Sequence, residues 1–174
     1  MKVGLLYNKK KTESVHYVKL LKQKIEEISQ KESADGKMWQ VTESSDYFNN
    51  EVVDNADLLI SIGGDGTFLK TASVAIKRDL PVLGFHLGTL GLLTEFDKSD
   101  MDNTVRRLVK GDYVIEERMT LNVDILDETG NVLFSKTTLN DCVLTRGTLA
   151  KVAYINLFIN EAFVDTYPCD GIVV

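Results

Sequence analysis

The sequence predicts an α/β N-terminal domain with a mostly parallel sheet, followed by a mostly-β C-terminal domain that is incomplete in this chain. Two observations carry this prediction. Short apolar runs alternate with segments of helical periodicity in the first part of the chain, which is typical of a parallel sheet covered by helices. Period-two alternation and turn residues dominate afterwards. We therefore place the two domains at 1–112 and 113–174.

The first domain is predicted to contain strands that alternate with helices. Each strand is a short, mainly apolar run that can be buried between neighbours. The strands are Lys2–Tyr7, Lys37–Thr42, Asp57–Ile62 and Leu80–Phe85. Apolar side chains three or four residues apart mark the helices. The first helix carries Val15, Val18, Leu21, Ile25 and Ile28, the second begins after Thr67 and carries Phe68, Leu69, Ala72, Ala75 and Ile76, and the third is Met101–Val109, which ends near Gly111.

The second domain is predicted to consist mainly of hairpins, because pairs of strand-like runs flank short clusters of turn residues. The pairs are Thr120–Leu126 with Val132–Leu139 around Glu128–Asn131, and Val152–Ile159 with Ala162–Tyr167 around Asn160–Glu161. The chain ends on the apolar run Gly171–Val174 with no turn residue behind it, so we expect neighbouring strands to be missing. An exposed terminal strand with unpaired backbone groups also favours strand exchange between copies.

Composition excludes several classes of function. The formal net charge is −6 and the isoelectric point is about 5.0, which disfavours a broad nucleic-acid-binding surface. No run approaches the roughly 18 apolar residues of a membrane helix, and the apolar start of the chain is too short for a signal peptide. We therefore expect a cytoplasmic protein that binds neither nucleic acid nor membrane.

Cysteine and histidine spacing disfavours a structural zinc site. Cys142, Cys169, His16 and His86 are widely separated and lack the close pairs that such sites use. A disulfide between the two cysteines is the alternative, but a reducing compartment favours free thiols.

The segment Gly63–Thr67, Gly-Gly-Asp-Gly-Thr, carries the predicted chemistry because it follows a buried strand and opens a helix. Glycines let the backbone approach a ligand closely, and the N–H groups at a helix start attract phosphate. The predicted phosphate loop comprises Gly63, Gly64, Gly66 and Thr67. Asp65 could accept a proton from a sugar hydroxyl or orient it for phosphoryl transfer, and is the candidate catalytic base. The alternative is a tight turn with a capping Asp. Neither the Walker pattern nor Gly-x-Gly-x-x-Gly is present.

The segment Gly63–Leu69 resembles the signature of the NAD kinase family, part of a wider group with diacylglycerol-type lipid kinases and 6-phosphofructokinases. Further segments match in order and favour NAD kinase within that group. They are Leu83–Gly91, Glu117–Met119 with Leu121, Leu139–Asp141 and Asp170–Ile172. The resemblance implies transfer of the ATP γ-phosphoryl group to the 2′-hydroxyl of the adenosine ribose of NAD, giving NADP. It also implies Mg²⁺ or another divalent cation with ATP. We expect a homo-oligomer, either a dimer or a tetramer.

The resemblance also implies roles for individual residues. Asp65 would act on the ribose 2′-hydroxyl, and Gly66 would lie against NAD. The remaining NAD-binding residues would be Asn140 and Asp141 at the sugar and phosphates, Lys151 near the phosphates and Asp170 at the nicotinamide end. Phe68, His86 and Gly88 would form the pocket wall. The alternatives are a simple turn for Asn140–Asp141 and a surface charge for Lys151. No protein ligand to a metal is predicted.

The chain departs from the family pattern in three places. Leu92 follows Gly91 where an aromatic residue is usual, and Pro168–Cys169 precede Asp170 where an Arg or other polar residue followed by a small one is common. The Thr-, Gly- and Ser-rich segment that follows in the family is absent. We therefore keep two alternatives: a lipid or sugar kinase of the same superfamily, and a catalytically incomplete nucleotide-binding fragment.

Overall fold

The computed structural model describes residues 1–47, 49–88, 91–147 and 152–174, and it divides into two compact units. The first is Met1–Arg118 and the second is Met119–Val174. The predicted boundary after residue 112 lies slightly before the division after Arg118. Both positions fall in the segment 112–120, which has neither helix nor strand. The domain limits themselves stay a prediction.

The first unit is a parallel five-stranded sheet with the strand order β2-β1-β3-β4-β5. The strands are β1 (Lys2–Tyr7), β2 (Gln40–Ser44), β3 (Leu58–Gly63), β4 (Val82–His86) and β5 (Phe96–Asp97). The helices are α1 (Thr12–Glu32), α2 (Asn50–Asp54), α3 (Asp65–Ala75) and α4 (Met101–Lys110). Short 3₁₀ turns lie at Ile76–Arg78 and Lys98–Asp100. The predicted α/β class with a parallel sheet is confirmed.

Helices cover both faces of this sheet because the strand side chains alternate between them. Ile60 and Ile62 of β3 pack with Val18, Leu21 and other apolar residues of α1 and α4. Leu59, on the other face of β3, packs with residues of α2 and α3. Every residue of β3 is buried, as expected from its mainly apolar run.

The parallel arrangement brings the carboxyl ends of neighbouring strands to one edge of the sheet. Gly63 at the end of β3 pairs with His86 at the end of β4, and His86 pairs with Asp97 of β5. The loops that leave this edge therefore lie side by side. This edge is where an open α/β sheet builds ligand sites.

Most predicted elements of the first unit are confirmed, with shifted bounds. β1 has its predicted limits, whereas β2 begins at Gln40 rather than Lys37. The N–H of Trp39 donates to the Ser29 hydroxyl at 2.9 Å, which ties the chain to α1 before the sheet pairing starts. α2 and β5 were not predicted, because five and two residues are too short to show a period.

The second unit consists of strands paired in antiparallel twos: β6 (Leu121–Leu126) with β7 (Val132–Thr138), β9 (Ala153–Ile159) with β10 (Ala162–Cys169), and β8 (Val143–Thr145) with β11 (Gly171–Val173). Both predicted hairpins are confirmed. Asn160 and Glu161 both have positive φ, as a two-residue hairpin turn of type I′ requires. β8 was not predicted. Many apolar side chains of these strands are exposed, for example Phe158 and Phe163.

The cysteines Cys142 and Cys169 are free thiols, as the sequence favoured. Within the part of the chain that the structure describes, no helix has the length and apolarity needed to cross a membrane.

Candidate functional site

The turn between β3 and α3 presents an open backbone surface. Gly63 ends β3, Gly64 caps α3 in an extended conformation, and the N–H groups of Thr67 and Phe68 donate to the Gly64 carbonyl at 2.8 and 3.1 Å. A Cβ on Gly63 would lie 2.8 Å from the Thr67 Cβ, whereas one on Gly64 or Gly66 would meet nothing within 4 Å. The turn therefore needs its first glycine for packing. Its other two glycines leave room for a ligand beside the helix start.

The carboxylate of Asp65 is held by the segment Leu92–Thr94. The Leu92 N–H donates to Oδ2 at 2.9 Å, the Leu93 N–H donates to Oδ1 at 3.2 Å, and the Thr94 hydroxyl lies 3.4 Å from Oδ1. These bonds, with that from Leu92 the largest cause, hold the pKa of the Asp65 carboxyl below its ordinary value. Asp65 is therefore ionised near neutral pH. An ionised carboxylate accepts charge-assisted hydrogen bonds. Its lowered pKa makes it a weak base.

His86 is buried at the carboxyl end of β4, beside this turn. Its Nδ1 lies 3.1 Å from the Gly88 carbonyl and 3.5 Å from Oδ2 of Asp97. Both neighbours are acceptors, so Nδ1 carries the hydrogen. Hydrogen bonds from the Ser99 side chain and backbone, with a smaller effect of His86, lower the pKa of Asp97. His86 is thus fixed in position by the loop that it adjoins.

The other two predicted wall residues lie near the same turn. The Phe68 ring packs against β4, where a Cβ on Gly84 would lie 2.8 Å from the Phe68 Cδ2. Gly88 is exposed, and a Cβ there would meet nothing within 4 Å. The assignment of Phe68, His86 and Gly88 to a pocket wall stays a prediction.

Sequence reasoning missed Tyr47 and the segment Leu92–Thr94 as neighbours of the turn. Burial raises the pKa of the Tyr47 phenol, while a hydrogen bond with the Thr67 side chain acts in the opposite direction. The Lys70 ammonium lies 5.5 Å from the centre of the Tyr47 ring. Tyr47 follows β2 outside any motif, so its sequence context carried no signal.

The second unit holds the remaining predicted residues that the structure describes. Asn140 and Asp141 are exposed between β7 and β8, and the Asn140 amide donates to Oδ1 of Asp141 at 2.6 Å. Asp170 lies between β10 and β11, where its carboxylate is 2.9 Å from Nε of Arg146. Lys151 lies outside the described residues. The roles of all four stay predictions, and Arg146 is an addition that the sequence did not indicate.

Among the residues that the structure describes, acidic, histidine and cysteine side chains do not converge as a metal site would require. Within the described ranges, no group of three or more such side chains could hold a metal ion. The site as described offers a helix start and an ionised carboxylate, which suit phosphate and a hydroxyl group.

Comparison with known proteins supplies the family. The model of the ATP-NAD kinase N-terminal domain matches residues 3–113, which is most of the chain and includes the whole Gly63–Thr67 turn. The chain belongs to the NAD kinase family. The NAD kinase of Acetivibrio thermocellus is 34% identical over 176 residues, covering 100% of this chain and 61% of the relative. The NAD kinase of Corynebacterium diphtheriae is 40% identical over 124 residues, covering 71% of this chain and 39% of the relative.

Solved NAD kinase structures share the fold. Yeast NADH kinase complexed with NADH matches with a TM-score of 0.80 at 22% identity, covering 99% of this chain and 56% of that one. The Archaeoglobus fulgidus NAD kinase in complex with ATP matches with a TM-score of 0.73 at 24% identity, covering 99% and 59%. The chain therefore spans about three fifths of the length of the Acetivibrio relative and of these two structures.

Proposed function

We propose that this chain phosphorylates NAD, transferring the ATP γ-phosphoryl group to the 2′-hydroxyl of the adenosine ribose to give NADP and ADP. The observation that carries the proposal is the ionised Asp65 carboxylate at the start of α3, in a chain of the NAD kinase family. The hydroxyl is the nucleophile of the transfer, and a positioned carboxylate is the group that such a nucleophile needs.

Asp65 is partly exposed, so a substrate hydroxyl can reach its carboxylate. Oδ1 accepts from the Leu93 N–H and the Thr94 hydroxyl, whereas Oδ2 accepts from the Leu92 N–H, and the Thr94 backbone also contributes to holding the carboxylate. Oδ2, with the single Leu92 bond, is therefore the oxygen that we expect to accept from the substrate. A ribose hydroxyl that donates there has its oxygen lone pairs oriented toward the phosphorus. Asp65 then acts mainly by orienting the nucleophile, because its lowered pKa makes it a weak proton acceptor.

The transfer itself is an in-line displacement. A bond forms between the 2′-oxygen and the γ-phosphorus while the bond from that phosphorus to the bridging oxygen of ATP breaks, and ADP leaves. The proton of the attacking hydroxyl passes to solvent by way of the Asp65 carboxylate. The N–H groups at the start of α3, beside Gly64 and Gly66, favour phosphate at this place. Catalysis is then chiefly positioning and charge stabilisation.

The proposal includes the other partners that the family pattern implies. Asn140, Asp141, Lys151 and Asp170 would bind NAD. Mg²⁺ or another divalent cation would accompany ATP and neutralise charge on its phosphates. A cytoplasmic location and a homo-oligomeric assembly belong to the same proposal.

The deciding experiment offers the purified chain ATP and Mg²⁺ with one acceptor at a time: NAD, diacylglycerol, a sphingoid base or fructose 6-phosphate. Formation of NADP, and of no other phosphorylated product, is the expected result. Phosphorylation of a lipid or a sugar without NADP formation would contradict the proposal.

A second candidate follows from length, because the chain spans 61% of its Acetivibrio relative. On this account the chain binds NAD and does not turn it over. Calorimetry with NAD beside the kinase assay separates the two: binding with NADP formation supports the kinase, and binding alone supports the second candidate.

A further inference from the structure

The backbone of Gly91 lies directly against the carboxylate of Asp65. A Cβ built on Gly91 would be 2.5 Å from the Asp65 Cγ and 2.7 Å from Oδ2, and closer still to Oδ1, whereas real Cβ atoms essentially never lie within 3.0 Å of an atom outside their own residue and its chain neighbours. All three of its nearest atoms belong to Asp65. Among the glycines of the described ranges, Gly91 is the only one at which the nearest atoms to an added Cβ belong to a carboxylate.

A side chain at position 91 would meet the Asp65 carboxylate, and this contact accounts for a glycine here. The two residues that follow donate the N–H groups that bind Asp65, at 2.9 and 3.2 Å.

We infer that Gly91 is a positioning residue for the phosphoryl transfer, acting through Asp65: its missing side chain lets the Leu92 and Leu93 amides close on the carboxylate and fix its direction. This inference rests on the proposed function for its catalytic meaning. Its geometric part, the contact between Gly91 and Asp65, stands independently. Leu92 and Leu93 contribute through their backbone, so the identity of their side chains is secondary.

The effect on catalysis follows from distance. An alanine at position 91 must push the carboxylate away or open the segment, and a misplacement of about 1 Å costs on the order of 100-fold in rate. Because Asp65 orients the hydroxyl and does not supply the bulk of NAD binding, the loss should fall on kcat, with the KM for NAD little changed.

The test compares Gly91→Ala with Gly147→Ala. Gly147 is the matched control, since its φ is ordinary and a Cβ there meets nothing within 4 Å. The Asp65 carboxyl is titrated by ¹³C NMR in each variant, and kcat and KM are measured. Gly91→Ala should move the Asp65 pKa up toward its ordinary value and lower kcat by about 100-fold, while Gly147→Ala changes neither. An unchanged Asp65 titration in folded Gly91→Ala would overturn the inference.

A stability cycle keeps the inference testable if Gly91→Ala folds poorly. Asp65→Ala removes the three atoms that lie nearest to the new Cβ. Gly91→Ala should therefore lower the unfolding midpoint in the parent chain and leave it nearly unchanged in the Asp65→Ala background. An equal fall of the unfolding midpoint in both backgrounds would show that the effect of Gly91→Ala does not come from contact with Asp65.

The titration and the stability cycle need no turnover, so they separate the two failures. A shifted Asp65 titration without NADP formation by the parent would reject the proposed function and retain the contact. NADP formation by the parent together with an unshifted Asp65 titration in Gly91→Ala would retain the proposed function and reject the positioning role of Gly91.

Discussion

At the scale of single residues, the central finding is that Asp65 is an anchored carboxylate. Backbone N–H groups of the Leu92–Thr94 segment and the Thr94 hydroxyl bind it, and they favour its ionised form. This makes the residue better suited to orient a hydroxyl than to remove its proton. The sequence indicated both roles for Asp65 without separating them, and the hydrogen bonds distinguish them.

The anchoring predicts a pH-dependent contribution to stability. The pKa of Asp65 is lowered from 3.8 in the folded chain, so its carboxylate stabilises the fold above pH 3.8, and the contribution disappears as pH falls through the lower folded pKa. The parent should exceed Asp65→Asn in unfolding midpoint at about pH 6, and the gap should shrink toward about pH 2. Urea unfolding of both proteins across this range measures it. A difference in unfolding midpoint that stays constant down to about pH 2 would show that these hydrogen bonds do not stabilise the carboxylate.

Sequence could identify Asp65 but not its partners. The residues that bind it are 27 to 29 positions away, and two of them contribute backbone groups that every non-proline residue has. Periodicity and motif spacing carry no information about such a contact. Gly91 appeared only as one letter of a matching segment, and its closeness to Asp65 becomes visible only once β3 and β4 are side by side.

At the scale of elements, predictability followed length and burial. α1 and α4 were predicted from apolar side chains at helical spacing, and β3 from a mainly apolar run. The short elements α2, β5 and β8 were not predicted because they contain too few residues to establish a period. The hairpin of β9 and β10 was found from Asn160–Glu161, whose positive φ values are those of its turn.

The end of α4 gives a prediction at this scale. Gly111 has φ of 73°, and its N–H donates to the Leu108 carbonyl at 3.1 Å, which closes the helix. Gly111→Ala should destabilise the first unit by about 1 kcal/mol, since a Cβ is costly in the left-handed region. Gly111→Asn is the graded control and should cost less, because asparagine tolerates this conformation. Chemical denaturation of the three proteins measures both values, and a Gly111→Ala variant as stable as the parent would contradict the capping role.

At the scale of the whole molecule, the candidate residues are divided between two units. Asp65 and the Leu92–Thr94 segment that binds it belong to Met1–Arg118, whereas Asn140, Asp141 and Asp170 belong to Met119–Val174. The first unit has a continuous core on both faces of its sheet. The second exposes large apolar side chains on most of its strands. The fold class was predictable because alternation of strands and helices changes to hairpins within one short segment.

The role of Asp65 is tested by the rate of NADP formation by the parent chain and by Asp65→Asn, at saturating NAD and ATP with Mg²⁺. The affinity for NAD is measured on the same samples, so that a loss of rate can be separated from a loss of binding. Asp65→Asn should be slower by on the order of 10²- to 10⁴-fold with NAD binding retained. An Asp65→Asn chain that forms NADP as fast as the parent would contradict the claim that this carboxylate orients the ribose hydroxyl.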